Sequence, residues 1–199
     1  MTLRGNAGRY GIGAATLHWV SAAAIVGMVT IGFVAANSAD AERTAALLRV
    51  HVPLGLLVLA LTLARLGWRL FDRRPAAPAG PRWQRIAGRL NHAALYGIVI
   101  LMGVSGIGVM VLSGAAAILF SGATTALPRF FDFAPMKAHA FGAIVLVGLV
   151  GLHVGAAMYH QFYRRDHLLA RMRIGSGDVE SASDVTAFNY GAAIRPIAD

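Results

Sequence analysis

The feature that most constrains this chain is the recurrence of apolar segments long enough to cross a bilayer. A membrane-spanning helix needs about 20 predominantly apolar residues, and four segments reach that length, at about 14–36, 47–68, 91–120 and 136–162. The sequence therefore predicts an all-α membrane protein, a bundle of four transmembrane helices. We expect this domain to occupy residues 1–174, followed by a polar, soluble tail over 175–199.

The composition excludes several classes of protein and of site. Charged residues make up 14% of the chain, against about 25% in a soluble domain. The absence of cysteine rules out disulfides, iron–sulfur clusters, c-type haem attachment and cysteine–zinc sites. A net charge of +9 would suit nucleic acid, but the basic residues flank the apolar segments and form no stripe of their own. We therefore expect lipid and not nucleic acid as the partner of these cations, and we find no internal sequence repeat.

The distribution of Lys and Arg predicts the orientation of the bundle. Cytoplasmic loops carry an excess of basic residues. The region between spans two and three holds Arg65, Arg69, Arg73, Arg74, Arg82, Arg85 and Arg89, whereas the opposite side has only Arg43, Arg49, Arg129 and Lys137. Both termini are therefore predicted to lie in the cytoplasm.

Histidines lie in or near every predicted span, where a polar imidazole is costly and usually functional. In span four, His139, His153 and His160 are spaced 14 and 7 residues apart, which places them on one helix face. Any single histidine at a span end could instead only anchor the interface. The set as a whole fits that alternative poorly, because its members lie at both levels of the membrane.

Haem iron takes axial imidazoles from both sides of the ring, so each haem needs two histidines at one depth on facing helices. His139 and His153 differ in height by about 21 Å along a helix, which leaves room for two stacked haems. The available partner at the outer level is His51, and at the inner level it is His18. Small side chains one turn away leave room for a porphyrin beside all four of these histidines.

Bulky side chains follow the two remaining histidines of the spans, His92 and His160, so we do not expect them to bind iron. Both are predicted to lie near the cytoplasmic surface, where they could exchange protons with a bound quinone, because imidazole titrates near neutral pH. Interface anchoring is the alternative. Arg65 and Arg69 end span two; they could contact haem propionates or simply extend to the lipid headgroups.

The chain resembles the bacterial cytochrome b561 family of the inner membrane in four dispersed motifs. These are LHW at 17–19, HVPLGLLVLALTLARLGWR at 51–69, NHAALYGIVILMGVSG at 91–106, and the run from Lys137 through His153 to Met172. The resemblance implies two b haems held by His18 with His153 (the inner pair) and His51 with His139 (the outer pair). It also implies quinone as a usual electron partner, and close relatives oxidise superoxide and reduce ubiquinone.

Three functions compete at this point. The first is a di-haem oxidoreductase that moves electrons between superoxide, or another periplasmic donor such as an electron-transfer protein, and membrane quinone. Arg49 and Lys137, each two residues from an outer ligand, could then steer the anion. The second is a haem b anchor subunit of a larger dehydrogenase or hydrogenase. A proton or metal-ion transporter is disfavoured, because no Asp or Glu lies inside any predicted span.

Overall fold

The fold of the chain is taken from a computed structural model, which describes residues 3–6, 8–72, 81–121, 126–166 and 168–172. Its α-helices are α1 (Ile12–Ala36), α2 (Ala41–Phe71), α3 (Arg82–Ser113), α4 (Ala115–Phe120) and α5 (Ala134–Met158). A π-helical turn, Tyr159–Tyr163, continues α5, and 3-10 turns cover Phe130–Asp132 and Leu168–Met172. Four helices, α1, α2, α3 and α5 with its π-helical turn, are long and apolar enough to cross a membrane.

These four helices confirm the predicted all-α membrane bundle, and no strand occurs within the described ranges. The predicted tail, 175–199, lies outside the described residues, as do Arg73 and Arg74. The cytoplasmic location of the termini stays a prediction. The end of the bundle that carries the inner pair is the inner end, and the end that carries the outer pair is the outer end.

The third helix corrects the predicted span of 91–120. It begins at Arg82 and ends at Ser113, because Gly114 adopts a left-handed conformation with φ 69° and ψ 5°. Glycine is the usual residue for such a helix end, since it lacks the Cβ that would clash. The residues beyond it form the separate helix α4, and the Arg49 guanidinium of α2 donates through Nε to Leu119 O at 2.9 Å.

The second helix is longer than the predicted 47–68 at both ends. It begins after Asp40, whose carboxylate accepts hydrogen bonds from the backbone N–H groups of Glu42 and Arg43. Such an N-cap satisfies donors that the first helical turn leaves unpaired. The hydropathy pattern reports only the part of a helix that crosses hydrocarbon, so the polar ends of α2 fall outside it.

The helices pack as two hairpins, α1 on α2 and α3 on α5, and α2 also contacts α3. A core of four buried side chains, Met28, Val58, Val99 and Leu146, takes one from each helix. Leu146 is seven residues from both His139 and His153, so this core lies midway between the two histidine levels. Many other large apolar side chains of the spans are exposed, as expected of surfaces that face lipid.

The segment after α5 returns to the start of α1. Trp19 Nε1 donates to Met172 O at 2.9 Å, and Tyr10 N donates to Arg171 O at 3.1 Å. These bonds hold the 3-10 turn Leu168–Met172 beside the inner end of the bundle.

Candidate haem-binding sites

The outer pair faces across the bundle from α2 and α5. The ring centroids of His51 and His139 are 6.2 Å apart. Two imidazoles bound at about 2 Å to opposite sides of one metal ion have centroids about 6 Å apart. The separation therefore fits one iron held between the two rings.

Backbone carbonyls orient both rings of the outer pair. His51 Nδ1 lies 3.1 Å from Met28 O, and His139 Nδ1 lies 3.1 Å from Met102 O. A carbonyl only accepts, so each Nδ1 carries the proton and each Nε2 keeps its lone pair for a metal. Histidine ligands of metals are commonly fixed in this way.

Two glycines make room for these rings. A Cβ added at Gly32 would lie 2.8 Å from His51 Cε1, and one added at Gly106 would lie 3.3 Å from His139 Cε1. Each glycine comes four residues after the methionine whose carbonyl accepts the bond. The outer imidazoles thus lie directly against the backbone of the neighbouring helix.

A buried serine adds a further contact to the outer pair. Ser105 Oγ donates to Met102 O at 3.1 Å and lies 3.1 Å from His139 Nδ1, whose N–H it accepts. Ser105 was missed in the sequence, because a serine in a span usually bonds only to its own helix backbone. Its contact with His139 depends on how α3 packs against α5, so the residue type and its position gave no signal.

The inner pair has the same separation in different surroundings. The ring centroids of His18 on α1 and His153 on α5 are 6.1 Å apart, which again fits one iron between them. The Arg65 guanidinium lies 3.1 Å from His18 Nδ1 and 5.7 Å from the centroid of the Tyr96 ring. The structure thus places Arg65 beside the inner pair, while Arg69 is exposed in the last turn of α2.

His92 on α3 joins the inner pair as a third histidine. Its ring centroid is 5.1 Å from that of His153, and its Nδ1 donates to Gly88 O at 2.7 Å. That separation is shorter than the spacing of about 6 Å for ligands on opposite sides of one iron. His92 therefore adjoins the inner pair without matching the geometry of a partner to His153.

The chemistry of these groups fits a cofactor that brings most of its own ligands. Among the described residues, no group of three or more His, Cys, Asp or Glu could hold a metal ion. A porphyrin leaves only the two axial positions of its iron to the protein. Two histidine pairs on facing helices meet that requirement.

Over residues 9–175 the chain matches the family described as prokaryotic cytochrome b561. The chain belongs to this family. It is similar to "Cytochrome b561 homolog 2" of Escherichia coli (strain K12), at 28% identity over 173 residues that cover 82% of this chain and 90% of that relative. It is accordingly a multi-pass protein of the bacterial inner membrane that carries haem b and transfers electrons.

The two hairpins of this cytochrome share an internal correspondence that was missed in the sequence. Histidine, methionine and glycine have the same spacing in α1, at His18, Met28 and Gly32, and in α3, at His92, Met102 and Gly106. In the second helices, Arg65 follows His51 by the same 14 residues that separate His153 from His139. A search for spaced single residues, and not for similar segments, could have found it.

His160 lies in the π-helical turn and is paired with an acid. Its Nδ1 is 2.7 Å from Asp166 Oδ2, and Arg164 Nε is 3.8 Å from the same oxygen. π-helical turns are rare and occur frequently at functional sites. His160 was identified from the sequence, but its partner Asp166 was not, because Asp166 lies beyond the predicted span.

The inner end of this cytochrome also holds polar atoms with unmet hydrogen-bonding capacity. Among the described residues, the buried side-chain atoms without a partner belong to Trp68, Gln84, Asn91, Gln161 and Asp166. All five residues lie in the parts of their segments nearest the inner end. Buried polar groups are normally satisfied by protein, water or ligand, so this end is suited to bind a polar molecule.

Proposed function

We propose that this cytochrome holds two b haems per chain and transfers electrons between superoxide, or another periplasmic donor, and membrane quinone. The observation that carries the two haems of this proposal is the pair of matching separations, 6.1 Å for the inner pair and 6.2 Å for the outer pair. When bound, each haem supplies a one-electron iron couple. The four ligands would be His18, His51, His139 and His153.

The two ligand levels divide the path across the membrane. His139 and His153 on α5 differ in height by about 21 Å, most of the roughly 30 Å of a hydrocarbon core. The buried core around Leu146 fills the space between the levels with apolar side chains. Because the side chains at this level are apolar, the proposed path relies on the two cofactors and not on a polar channel.

Quinone is proposed to react at the inner end. Trp68 Nε1 is a buried donor without a partner and could donate to a quinone carbonyl. His92 and His160, which is bonded to Asp166, are side chains there that can exchange protons. Ubiquinone is the partner that the family resemblance implies. Arg65 and Arg69 are the cations proposed to contact haem propionates.

Superoxide is proposed to react at the outer end. Arg49 and Lys137 lie two residues from His51 and His139 in the chain, and both are exposed. Positive charge near a reactive site raises the association rate of an anion. The guanidinium of Arg49 also donates to Leu119 O, which holds it on the surface beside α4.

The haem content of the purified full-length protein tests the proposal. A pyridine haemochrome assay should give two haems per chain, and one haem per chain would remove one pair from the scheme. Stopped-flow mixing with superoxide should then reduce the protein, with reoxidation on addition of ubiquinone. Purification only within a large dehydrogenase or hydrogenase, with no response to superoxide, would favour the anchor subunit instead.

A further inference from the structure

The two histidine pairs have electrostatic surroundings of opposite character. At the outer pair, the Nδ1 atoms of His51 and His139 face hydrogen-bond acceptors, the Met28 and Met102 carbonyls and the Ser105 hydroxyl. At the inner pair, the Arg65 guanidinium lies 3.1 Å from His18 Nδ1. With Nε2 on the iron, His18 carries its proton on Nδ1, and a guanidinium cannot accept that proton, so Arg65 acts on this pair through its positive charge and not through a hydrogen bond. The ligand separations are nearly equal, so the difference lies in the neighbours and not in the pairs themselves.

The two kinds of neighbour change the reduction potential of a haem in opposite directions. An acceptor on Nδ1–H makes an imidazole a stronger electron donor and so favours oxidised iron. A positive charge beside a ligand favours the additional electron of reduced iron, and the effect is large where the dielectric is low. Hydrogen bonds and charges around a haem are established means of setting its potential.

We propose that Arg65 and Ser105 give the two haems different reduction potentials, so that the inner haem is the more easily reduced. The free energy of an electron is then lower at the inner pair, so transfer is downhill from the outer to the inner end. This inference rests on the proposed function, because it requires both haems. It assigns a direction to the transfer, together with two positioning residues that set it.

The charge of Arg65 is poorly compensated. Within the described ranges the acid Asp166 pairs with His160 and Arg164, and no acid forms an ion pair with Arg65. Arg65 is half-buried, whereas the outer cations Arg49 and Lys137 are exposed, where salt screens them. A haem propionate beside Arg65 would reduce its effect without reversing it, since removal of the guanidinium would still remove positive charge.

The internal correspondence explains why the charge lies at this level. Arg65 occupies in α2 the position that the ligand His153 occupies in α5, 14 residues after the outer ligand of the same helix. The geometry that brings His153 to the inner level therefore brings Arg65 there too. Ser105 has no such counterpart, because the equivalent residue of α1 is Ile31.

Spectroscopic redox titration of the full-length holoprotein tests the proposal. Wild type should show two midpoints. Arg65→Gln should lower the higher midpoint potential, and Ser105→Ala should raise the lower one. For Arg65→Gln we expect the ratio of reduced to oxidised inner haem to change about tenfold, which corresponds to about 59 mV for one electron. Arg65→Lys should restore most of the shift. Thr62→Val is the matched control and should leave both midpoints unchanged, since the buried Thr62 hydroxyl bonds to Val58 O of its own helix.

The order of the potentials has its own measurement. His153→Ala should retain the outer haem alone, and its midpoint should coincide with the lower wild-type value. The inference is overturned if the midpoint of His153→Ala coincides with the higher wild-type value. It is also overturned if Ser105→Ala and Arg65→Gln move the same midpoint, or if neither variant moves a midpoint. A protein that binds fewer than two haems contradicts the proposed function itself, whereas two haems with unmoved midpoints contradict only this inference. If Arg65→Gln loses haem, the midpoints of Ser105→Ala and Arg65→Lys still test the inference.

Discussion

The outer and inner pairs have the same spacing of rings but are built in different ways. The outer imidazoles lie against Gly32 and Gly106 and bond to backbone carbonyls. The inner imidazoles lie beside a guanidinium and a third histidine, near buried polar atoms without partners. A tightly packed end suits electron entry alone, while a polar end suits electron transfer coupled to protons.

Removal of a proposed inner ligand should have the strongest effect on haem binding. Comparison with a nearby histidine that is not expected to bind iron distinguishes a ligand from a neighbour. His153→Ala should abolish inner haem binding, reducing the haem content by half, because it removes one of two axial ligands. His160→Ala should leave both haems bound, since His160 is paired with Asp166. Haem assays and reduced-minus-oxidised spectra of the two variants give the answer. Loss of a haem from His160→Ala would mean that the inner pair is wrongly assigned.

A smaller effect should follow from crowding the outer end. In Gly32→Ala the new Cβ would lie 2.8 Å from His51 Cε1, so the ring must move away from its position. Overpacking of this kind costs about 1–3 kcal/mol, and we expect outer haem affinity to fall about tenfold. Haem titration of the two sites measures the loss.

Gly97→Ala is the matched control for that experiment. A Cβ at Gly97 would meet nothing within 4 Å, so both haems should bind as in the wild type. Equal losses of haem affinity in the two variants would show that glycine is needed for the helix itself. The close packing of the outer end would then not explain the effect of Gly32→Ala.

Hydropathy predicted the fold well because hydrocarbon imposes a minimum length of apolar helix. It placed the third helix end wrongly, since Ala115–Phe120 is as apolar as the helix before it and only the conformation of Gly114 separates them. The polar ends of α2 were missed for the opposite reason, because they continue a helix without being apolar.

The histidines of both pairs could be proposed from spacing and depth, but their neighbours could not. The acceptors at Met28 and Met102 are backbone carbonyls, which every residue has, so the side-chain sequence carries no trace of them. Ser105 and Asp166 act through contacts between segments far apart or outside the spans. Such contacts depend on how helices pack, which composition and periodicity do not specify.

The weakest effect should be on the arrival of superoxide at the outer end. The double substitution Arg49→Gln with Lys137→Gln should slow reduction by superoxide about threefold at low salt, because it removes local positive charge that steers an anion. Salt screens such steering, so the rate of the variant should depend less on ionic strength than that of the wild type. Stopped-flow measurements across a salt series show both effects.

Lys137→Gln alone separates steering from packing, because Arg49 also donates to Leu119 O and its loss could displace α4. An unchanged rate and salt dependence in the double variant would exclude this route, and a protein donor at the outer end would then replace superoxide in the proposed function.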